Sequence, residues 1–171
     1  LLYMNDENKI IIYQVFTRLF GNNNNHCVYN GDIVTNGCGK MADFTLKALS
    51  EIKKLGTTHI WYTGIIEHAT QTDYRRYNIS PDHPAIVKGK AGSPYAIKDY
   101  YDVDPDLAND IPERMREFEN LVRRTHRAGL KVIIDFVPNH VARQYHSDAQ
   151  PDGTTEWGAN DDSSQSFSPY N

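Results

Sequence analysis

The chain has 171 residues, of which 39% are hydrophobic and 11% aromatic, and its formal net charge at pH 7 is -4. This length and apolar content suffice for one globular domain with a buried core, and no apolar run approaches the about 20 residues that a membrane span needs. The mild acidity and the lack of a Lys/Arg cluster argue against nucleic acid as the main partner.

The N-terminal half predicts two strands separated by a helix. Residues Ile10–Phe16 form a nearly continuous apolar run, which is typical of a strand buried on both faces. After a turn-rich stretch of Gly and Asn, Asp43 is the predicted N-cap of a helix and Gly56 lies just past its end. The apolar face of that helix is predicted to be Leu46, Leu49, Ile52 and Leu55. A second strand is predicted over Thr58–Ile66.

The C-terminal half predicts one more helix and one more strand. Residues 67–109 lack the pattern of a long helix, and their tyrosines argue against disorder, so we expect a functional loop. Asp110 is the predicted N-cap of the second helix, with Glu113 in the reciprocal capping position and Gly129 at the end. Its buried stripe is predicted to be Met115, Phe118, Leu121, Val122 and Ala128. A third strand begins at Lys131, and the chain then becomes polar.

Strands that alternate with helical crossovers predict an α/β protein with a parallel sheet and right-handed connections. A partial (β/α)8 TIM barrel and a doubly wound open sheet both fit this order. The long segments after the strands favour the barrel, because barrel enzymes elaborate their C-terminal face. The predicted fold is therefore a partial TIM barrel with three strands and two helices.

The segment KVIIDFVPNH, residues 131–140, points to a functional site. Its apolar strand places Asp135, Asn139 and His140 at a C-terminal strand end, where α/β proteins build their sites. Taken alone, these residues also fit an unrelated open-sheet enzyme in which Asp135 binds a metal. No nucleotide cofactor is predicted, because Gly37–Lys40 lacks the spacing and the hydroxyl residue of a phosphate loop. A calcium loop is not predicted either, and turn capping is expected for Asp99, Asp102, Asp104 and Asp106.

Five segments, in this order, resemble the α-amylase family of glycoside hydrolases, of bacterial type: YQVFTRLF, GKMADF, THIWYTGI, SPYAIKDYYDVDP and HRAGLKVIIDFVPNH. The resemblance implies that Tyr95 stacks on the sugar ring at the cleaved subsite and that His140 hydrogen-bonds the same sugar. It implies that Asp135 supports the charge network of the site. Two positions depart from the family pattern, since Gly64 stands where a proline is common and Ser93-Pro94 where His-Gly is common.

The resemblance also implies a structural calcium that receives the side-chain oxygen of Asn139. One neutral oxygen is a weak site, and calcium takes 6 to 8 oxygens. Asp148, Asp152, Asp161 or Asp162 can supply further ligands, and the sequence does not distinguish among them.

The implied domains are residues 1–142, the N-terminal part of the catalytic barrel, and residues 143–171, the start of a domain inserted after the third strand. The implied substrates are starch, glycogen or maltooligosaccharides, hydrolysed with retention by two carboxyl groups about 5 to 5.5 Å apart. Those carboxyl groups are expected beyond this chain, so no catalytic residue is assigned and the segment alone is expected to be inactive. Its uncovered strands are expected to meet the remainder of the enzyme or a second copy.

Other interpretations remain open. A transglycosylase or isomerase of the same family fits these residues, and so does a non-catalytic carbohydrate-binding or calcium-binding remnant. Cys27 and Cys38 suit either free thiols or a disulfide, so they do not fix the compartment. The resemblance leaves a periplasmic, a secreted and a cytoplasmic location in a bacterium open. The start at Leu1 indicates a processed or excised segment.

Overall fold

A computed structural model describes residues 9–160 of the chain. The elements in chain order are β1 (Ile12–Phe16), α1 (Ile33–Asn36), α2 (Leu46–Lys54), β2 (His59–Thr63), β3 (Ile66–His68), β4 (Ile97–Val103), α3 (Arg114–Arg127) and β5 (Lys131–Ile134). Short 3-10 turns lie at Met41–Asp43, Arg75–Tyr77, Pro84–Ile86, Pro105–Leu107 and Ile111–Glu113.

Strands β1, β2 and β5 form a parallel sheet with β2 in the centre. The prediction of a parallel sheet joined by helical crossovers is confirmed within residues 9–160. Strand β1 begins at Ile12 rather than Ile10. The predicted second strand is interrupted, because Gly64 adopts φ 81°, a left-handed conformation that ends β2 and redirects the chain into β3.

Strands β3 and β4 pair antiparallel as a second, small sheet inside the segment that was predicted to be a loop. The absence of a long helix there is confirmed. Strand β4 escapes the hydrophobic pattern because Lys98, Asp99 and Asp102 on it are buried. Buried charged residues are rare unless they are paired. Sequence patterns therefore assign a segment as polar as this one to a loop rather than to a buried strand.

Both predicted helices exist, and Gly56 and Gly129 follow their C-terminal ends in the left-handed conformation, as predicted, but the predicted N-caps are wrong. Helix α2 begins two residues later than expected, with Thr45 as the N-cap, and the Thr45 hydroxyl accepts from the Ala48 N–H at 3.2 Å. Asp43 instead accepts from the Lys40 N–H at 2.7 Å in the preceding 3-10 turn. Before α3, Glu117 rather than Glu113 accepts from the main-chain N–H groups of Asn109 and Asp110.

The core lies between the parallel sheet and helices α2 and α3. Phe44 packs edge-on against Tyr62 of β2, and the Tyr62 hydroxyl is 2.7 Å from the hydroxyl of Thr125 on α3. Leu49 and Leu121 contribute the buried faces of the helices, whereas Met115, predicted to be buried, is 39% exposed. Cys27 and Cys38 are free thiols. None of the helices within residues 9–160 is long and apolar enough to cross a membrane.

Candidate functional site

Asp135 follows β5 directly and is held by the neighbouring strand. The indole N–H of Trp61 donates to one of its carboxylate oxygens, and the main-chain N–H of Gly64 donates to the other at 3.2 Å. The parallel register places Trp61 beside Ile133, so the end of β2 lies next to Asp135. Both oxygens of Asp135 therefore accept from neutral donors, which fixes the carboxylate at the C-terminal edge of the sheet.

Gly64 connects this carboxylate to the segment that carries Tyr95. A Cβ atom built on Gly64 would lie 3.1 Å from Cβ of Pro94 and 3.2 Å from the ring of Phe16. Pro94 thus occupies the space that a side chain at position 64 would need. The two departures from the family pattern, at positions 64 and 94, are therefore neighbours in the fold.

One main-chain hydrogen bond joins the segments that carry Tyr95 and His140. The Ala142 N–H donates to the Ile97 carbonyl at 2.7 Å, and Tyr95 and His140 each lie two residues from that bond. Tyr95 is 46% exposed, and His140 is also exposed. The structure consequently brings Tyr95, Asp135 and His140 to one edge of the parallel sheet, with Tyr95 and His140 accessible to a ligand.

Asn139 lies at the same edge with an exposed side chain. Its amide nitrogen is 3.4 Å from Nδ1 of His140. Of the acidic residues expected to help it bind calcium, Asp161 and Asp162 lie outside the described residues and Asp152 is exposed. Asp148 lies instead with Glu67 and Asp99, which sit on β3 and β4.

An aromatic cluster beside the site was not found from the sequence. Tyr100 on β4 lies 5.9 Å from Phe136, 6.0 Å from Tyr145 and 5.6 Å from Trp157, measured between ring centroids. Its hydroxyl donates to the Val137 carbonyl. Phe136 is 72% exposed and Trp157 56% exposed, so the cluster offers flat apolar rings to solvent, and the Tyr100 hydroxyl lies 3.5 Å from the His140 carbonyl oxygen. The spacing of these rings in the sequence carries no periodic signal that predicts the cluster.

A buried polar network lies behind the edge. Nδ1 of His68 is 2.7 Å from Oδ2 of Asp104, and the two side chains form an ion pair when His68 is protonated. Burial alone would lower the pKa of His68, but Asp104 raises it above the ordinary value. Burial, followed by Asp104, raises the pKa of Asp106, which accepts from the Tyr74 hydroxyl at 2.6 Å. The expected turn-capping role is confirmed for Asp104, whose Oδ1 accepts from the Asp106 N–H.

A cavity of about 580 Å³ lies to one side, between the segment after β1 and the segment after β3. Its lining includes Arg18, Asn22, Cys38 and Lys90. Tyr95, Asp135, Asn139 and His140 do not line it, so it is separate from the edge described above.

Comparison with known proteins identifies proteins that are similar to this chain. A family model described as the catalytic domain of alpha amylase matches residues 14–162. The crystal structure of an alpha-amylase from Lactobacillus plantarum superposes with a TM-score of 0.52 at 29% identity, over 79% of this chain and 24% of that one. The interpretation of the chain as an unrelated open-sheet enzyme, with Asp135 as a metal ligand, is therefore wrong.

Two further relatives have names that describe different functions, one a transporter subunit and the other a hydrolase. The amino acid transporter heavy chain SLC3A1 of Rattus norvegicus is 43% identical over 51 residues, which are 30% of this chain and 7% of that protein. Trehalose-6-phosphate hydrolase of Bacillus subtilis (strain 168) is 26% identical over 137 residues, which are 80% of this chain and 18% of that protein. The chain thus spans a minor part of the length of each relative.

Proposed function

This chain belongs to the α-amylase family of glycoside hydrolases, and from that premise we propose that it is the N-terminal part of the catalytic barrel of a retaining α-glucan hydrolase. The observation that carries the proposal is the family match over residues 14–162. In this proposal residues 1–142 supply the first three barrel strands, β1, β2 and β5, and residues 143–171 begin the inserted domain. Residues 1–8 and 161–171 of these two domains lie outside the described residues.

The proposed role of this segment is to hold the substrate. Tyr95 presents a half-exposed ring for stacking on a sugar, and His140 presents an imidazole that can donate to a sugar hydroxyl. Asp135 keeps the strand ends aligned through Trp61 and Gly64. Asn139 contributes one oxygen to a structural calcium. The carboxyl groups that break the α-glucosidic bond in starch, glycogen or maltooligosaccharides come from later barrel strands, so the segment alone is inactive.

The test compares two tyrosines of similar exposure in the longer protein that carries this chain. Tyr95 is 46% exposed at the strand-end edge, and Tyr101 is 41% exposed on β4. Hydrolysis of maltooligosaccharides is followed by NMR, so that the rate and the anomer of the product are read together. We expect an α-anomeric product, a kcat/KM about tenfold lower for Tyr95→Ala, and little change for Tyr95→Phe or Tyr101→Ala.

Equal losses for Tyr95→Ala and Tyr101→Ala would show that Tyr95 has no specific contact with substrate. A β-anomeric product would contradict retention. Transfer to a sugar acceptor in place of hydrolysis would identify the transglycosylase alternative, which depends on water exclusion in the rest of the barrel.

A second candidate function follows from the similarity to the transporter heavy chain, whose name describes no hydrolase. The chain would then be part of a non-catalytic family member. In that case the longer protein would bind maltooligosaccharides through Tyr95 and His140 but release no reducing ends. Binding measured by calorimetry, together with the same NMR assay, separates the two functions.

A further inference from the structure

Three carboxylates form a group away from the predicted site residues. Glu67 on β3, Asp99 on β4 and Asp148 after β5 each place an oxygen within 4.8 Å of the other two. Glu67 and Asp99 are partners in the β3–β4 register, and the Asp148 N–H donates to Oδ2 of Asp99 at 3.1 Å. Three separate segments of the chain therefore converge on one group of oxygens.

Glu67 has a buried carboxylate oxygen without a hydrogen-bond partner. The residue is 1% exposed, and its Oε2 atom accepts no hydrogen bond from any group within residues 9–160. Burial of a carboxylate oxygen without a hydrogen-bond donor costs free energy, because the oxygen loses its hydration and no protein group replaces it. The fold must therefore supply Glu67 with either a proton or a cation.

The nearby cationic side chains are shared with, or paired to, carboxylates outside the group. The guanidinium of Arg114 lies 2.5 Å from Asp102 and 3.0 Å from Asp148, so it is shared. The Lys98 ammonium, also near Glu67, lies 3.1 Å from Asp82. Negative charge therefore exceeds positive charge at the group.

The pKa of Glu67 agrees with this excess. Burial raises the pKa of Glu67 far above its usual range, and the charges of Asp104 and Asp148 raise it further. Such a shift favours the neutral acid when no cation is bound, and a bound cation would favour the carboxylate instead.

We propose that Glu67, Asp99 and Asp148 bind a hard divalent cation, and specifically calcium. Carboxylate oxygens are the ligands that calcium prefers, and its Ca–O distances of about 2.3–2.6 Å give a coordination sphere about 5 Å across, which accommodates the separations within the group. The Asp148 side chain is 21% exposed, which leaves an open side for water ligands. The ion ties the β3–β4 sheet to the segment that follows β5. It is distinct from the calcium expected at Asn139 and does not depend on the reaction that the protein performs.

The test counts calcium ions in the longer protein that carries this chain. Wild type and variants are stripped with EDTA and dialysed against calcium, and the bound metal per chain is measured by atomic spectroscopy. We expect Glu67→Gln and Asp148→Asn each to bind one calcium fewer than wild type, whereas the control Glu119→Gln, at a carboxylate on α3 whose side chain is 59% exposed, binds the wild-type number. The unfolding temperature should also rise less with calcium in the first two variants.

Two outcomes would overturn the proposal. If Glu67→Gln binds as much calcium as wild type and unfolds at the same or a higher temperature, the group holds a shared proton, because the amide mimics the protonated acid. If Glu119→Gln loses calcium equally, the effect is one of general charge. Asp148→Asn replaces a partly exposed side chain, so it still decides the question if Glu67→Gln does not fold.

Discussion

At the scale of single residues, Gly64 links the features of the strand-end edge. It ends β2 with φ 81°, donates its N–H to Asp135 and leaves the space that Pro94 occupies. Gly153 has nearly the same φ, 80°, but a Cβ there would have no atom within 4 Å. The two glycines therefore separate the effect of backbone conformation from the effect of crowding.

We expect Gly153→Ala to lower the free energy of unfolding by about 1–2 kcal/mol, the usual penalty for a left-handed alanine. Gly64→Ala should lower it by about 1–3 kcal/mol more, because its Cβ must displace Pro94 or Phe16. Urea unfolding of the protein that carries this chain measures both. The double variant Gly64→Ala/Pro94→Ala should recover part of the difference, and a failure to recover any would place the strain elsewhere.

Sequence reasoning located the residues of this edge but not their contacts. A strand that ends in Asp135 indicates where the carboxylate lies, because parallel strands bring their C-terminal ends to one edge. The partners of Asp135, Trp61 and Gly64, come from a strand far away in the sequence. Periodicity describes one strand at a time, so it could not show that Trp61 donates to Asp135.

At the scale of elements, an ion pair joins β3 to the turn that follows β4. His68 and Asp104 are 2% and 0% exposed at the side chain, and their atoms lie 2.7 Å apart. Asp104 raises the pKa of His68, and His68, working against burial, lowers the pKa of Asp104. The contribution of His68 is complete below its ordinary pKa of 6.5 and disappears as the pH rises through the raised value. The contribution of Asp104 is complete above its ordinary pKa of 3.8 and disappears as the pH falls through the lowered value.

We therefore expect His68→Asn to lower the free energy of unfolding most between these two ordinary values, by about 3–5 kcal/mol, and less at alkaline pH. The measurement is urea unfolding of wild type and variant across this pH range. His146→Asn is the control, because His146 contacts Glu156 at 2.8 Å with its side chain 50% exposed, and it should change stability by less than about 1 kcal/mol. A loss for His68→Asn that did not vary with pH would show that shape, not charge, matters at this position.

The elements themselves were predicted where hydrophobic spacing governs them. Helix α2 shows its three-residue spacing, and β5 shows its apolar run, so both were found. Strand β4 was missed because buried charged residues replace apolar ones along it, and the N-terminal caps of both helices were assigned to the wrong residues. Asp43 and Glu113 have suitable spacing, but Thr45 and Glu117 lie closer to the free N–H groups once the 3-10 turns form.

At the scale of the whole molecule, the parallel sheet has two uncovered edges within residues 9–160. Strands β1 and β5 flank β2, and no further strand pairs with their outer sides among the described residues. Ile12 on β1 is 49% exposed and Ile134 on β5 is 40% exposed. Parallel sheets are normally covered on both faces, because their strands are apolar throughout. We propose that later strands of the same barrel cover these edges in the longer protein.

A polypeptide of residues 1–171 alone should therefore associate with itself through these edges, because unpaired strand edges and apolar residues promote pairing between copies. Size-exclusion chromatography with light scattering should give a mass above the 19.5 kDa of one chain. The double variant Ile12→Thr/Ile134→Thr should shift the distribution toward that mass by removing apolar area at both edges. Val34→Thr is the matched control, since Val34 is 86% exposed but lies on α1, outside the sheet, and it should leave the distribution unchanged. A compact monomer for the unmodified segment would contradict the prediction, because it would mean that three parallel strands with two helices satisfy their own edges.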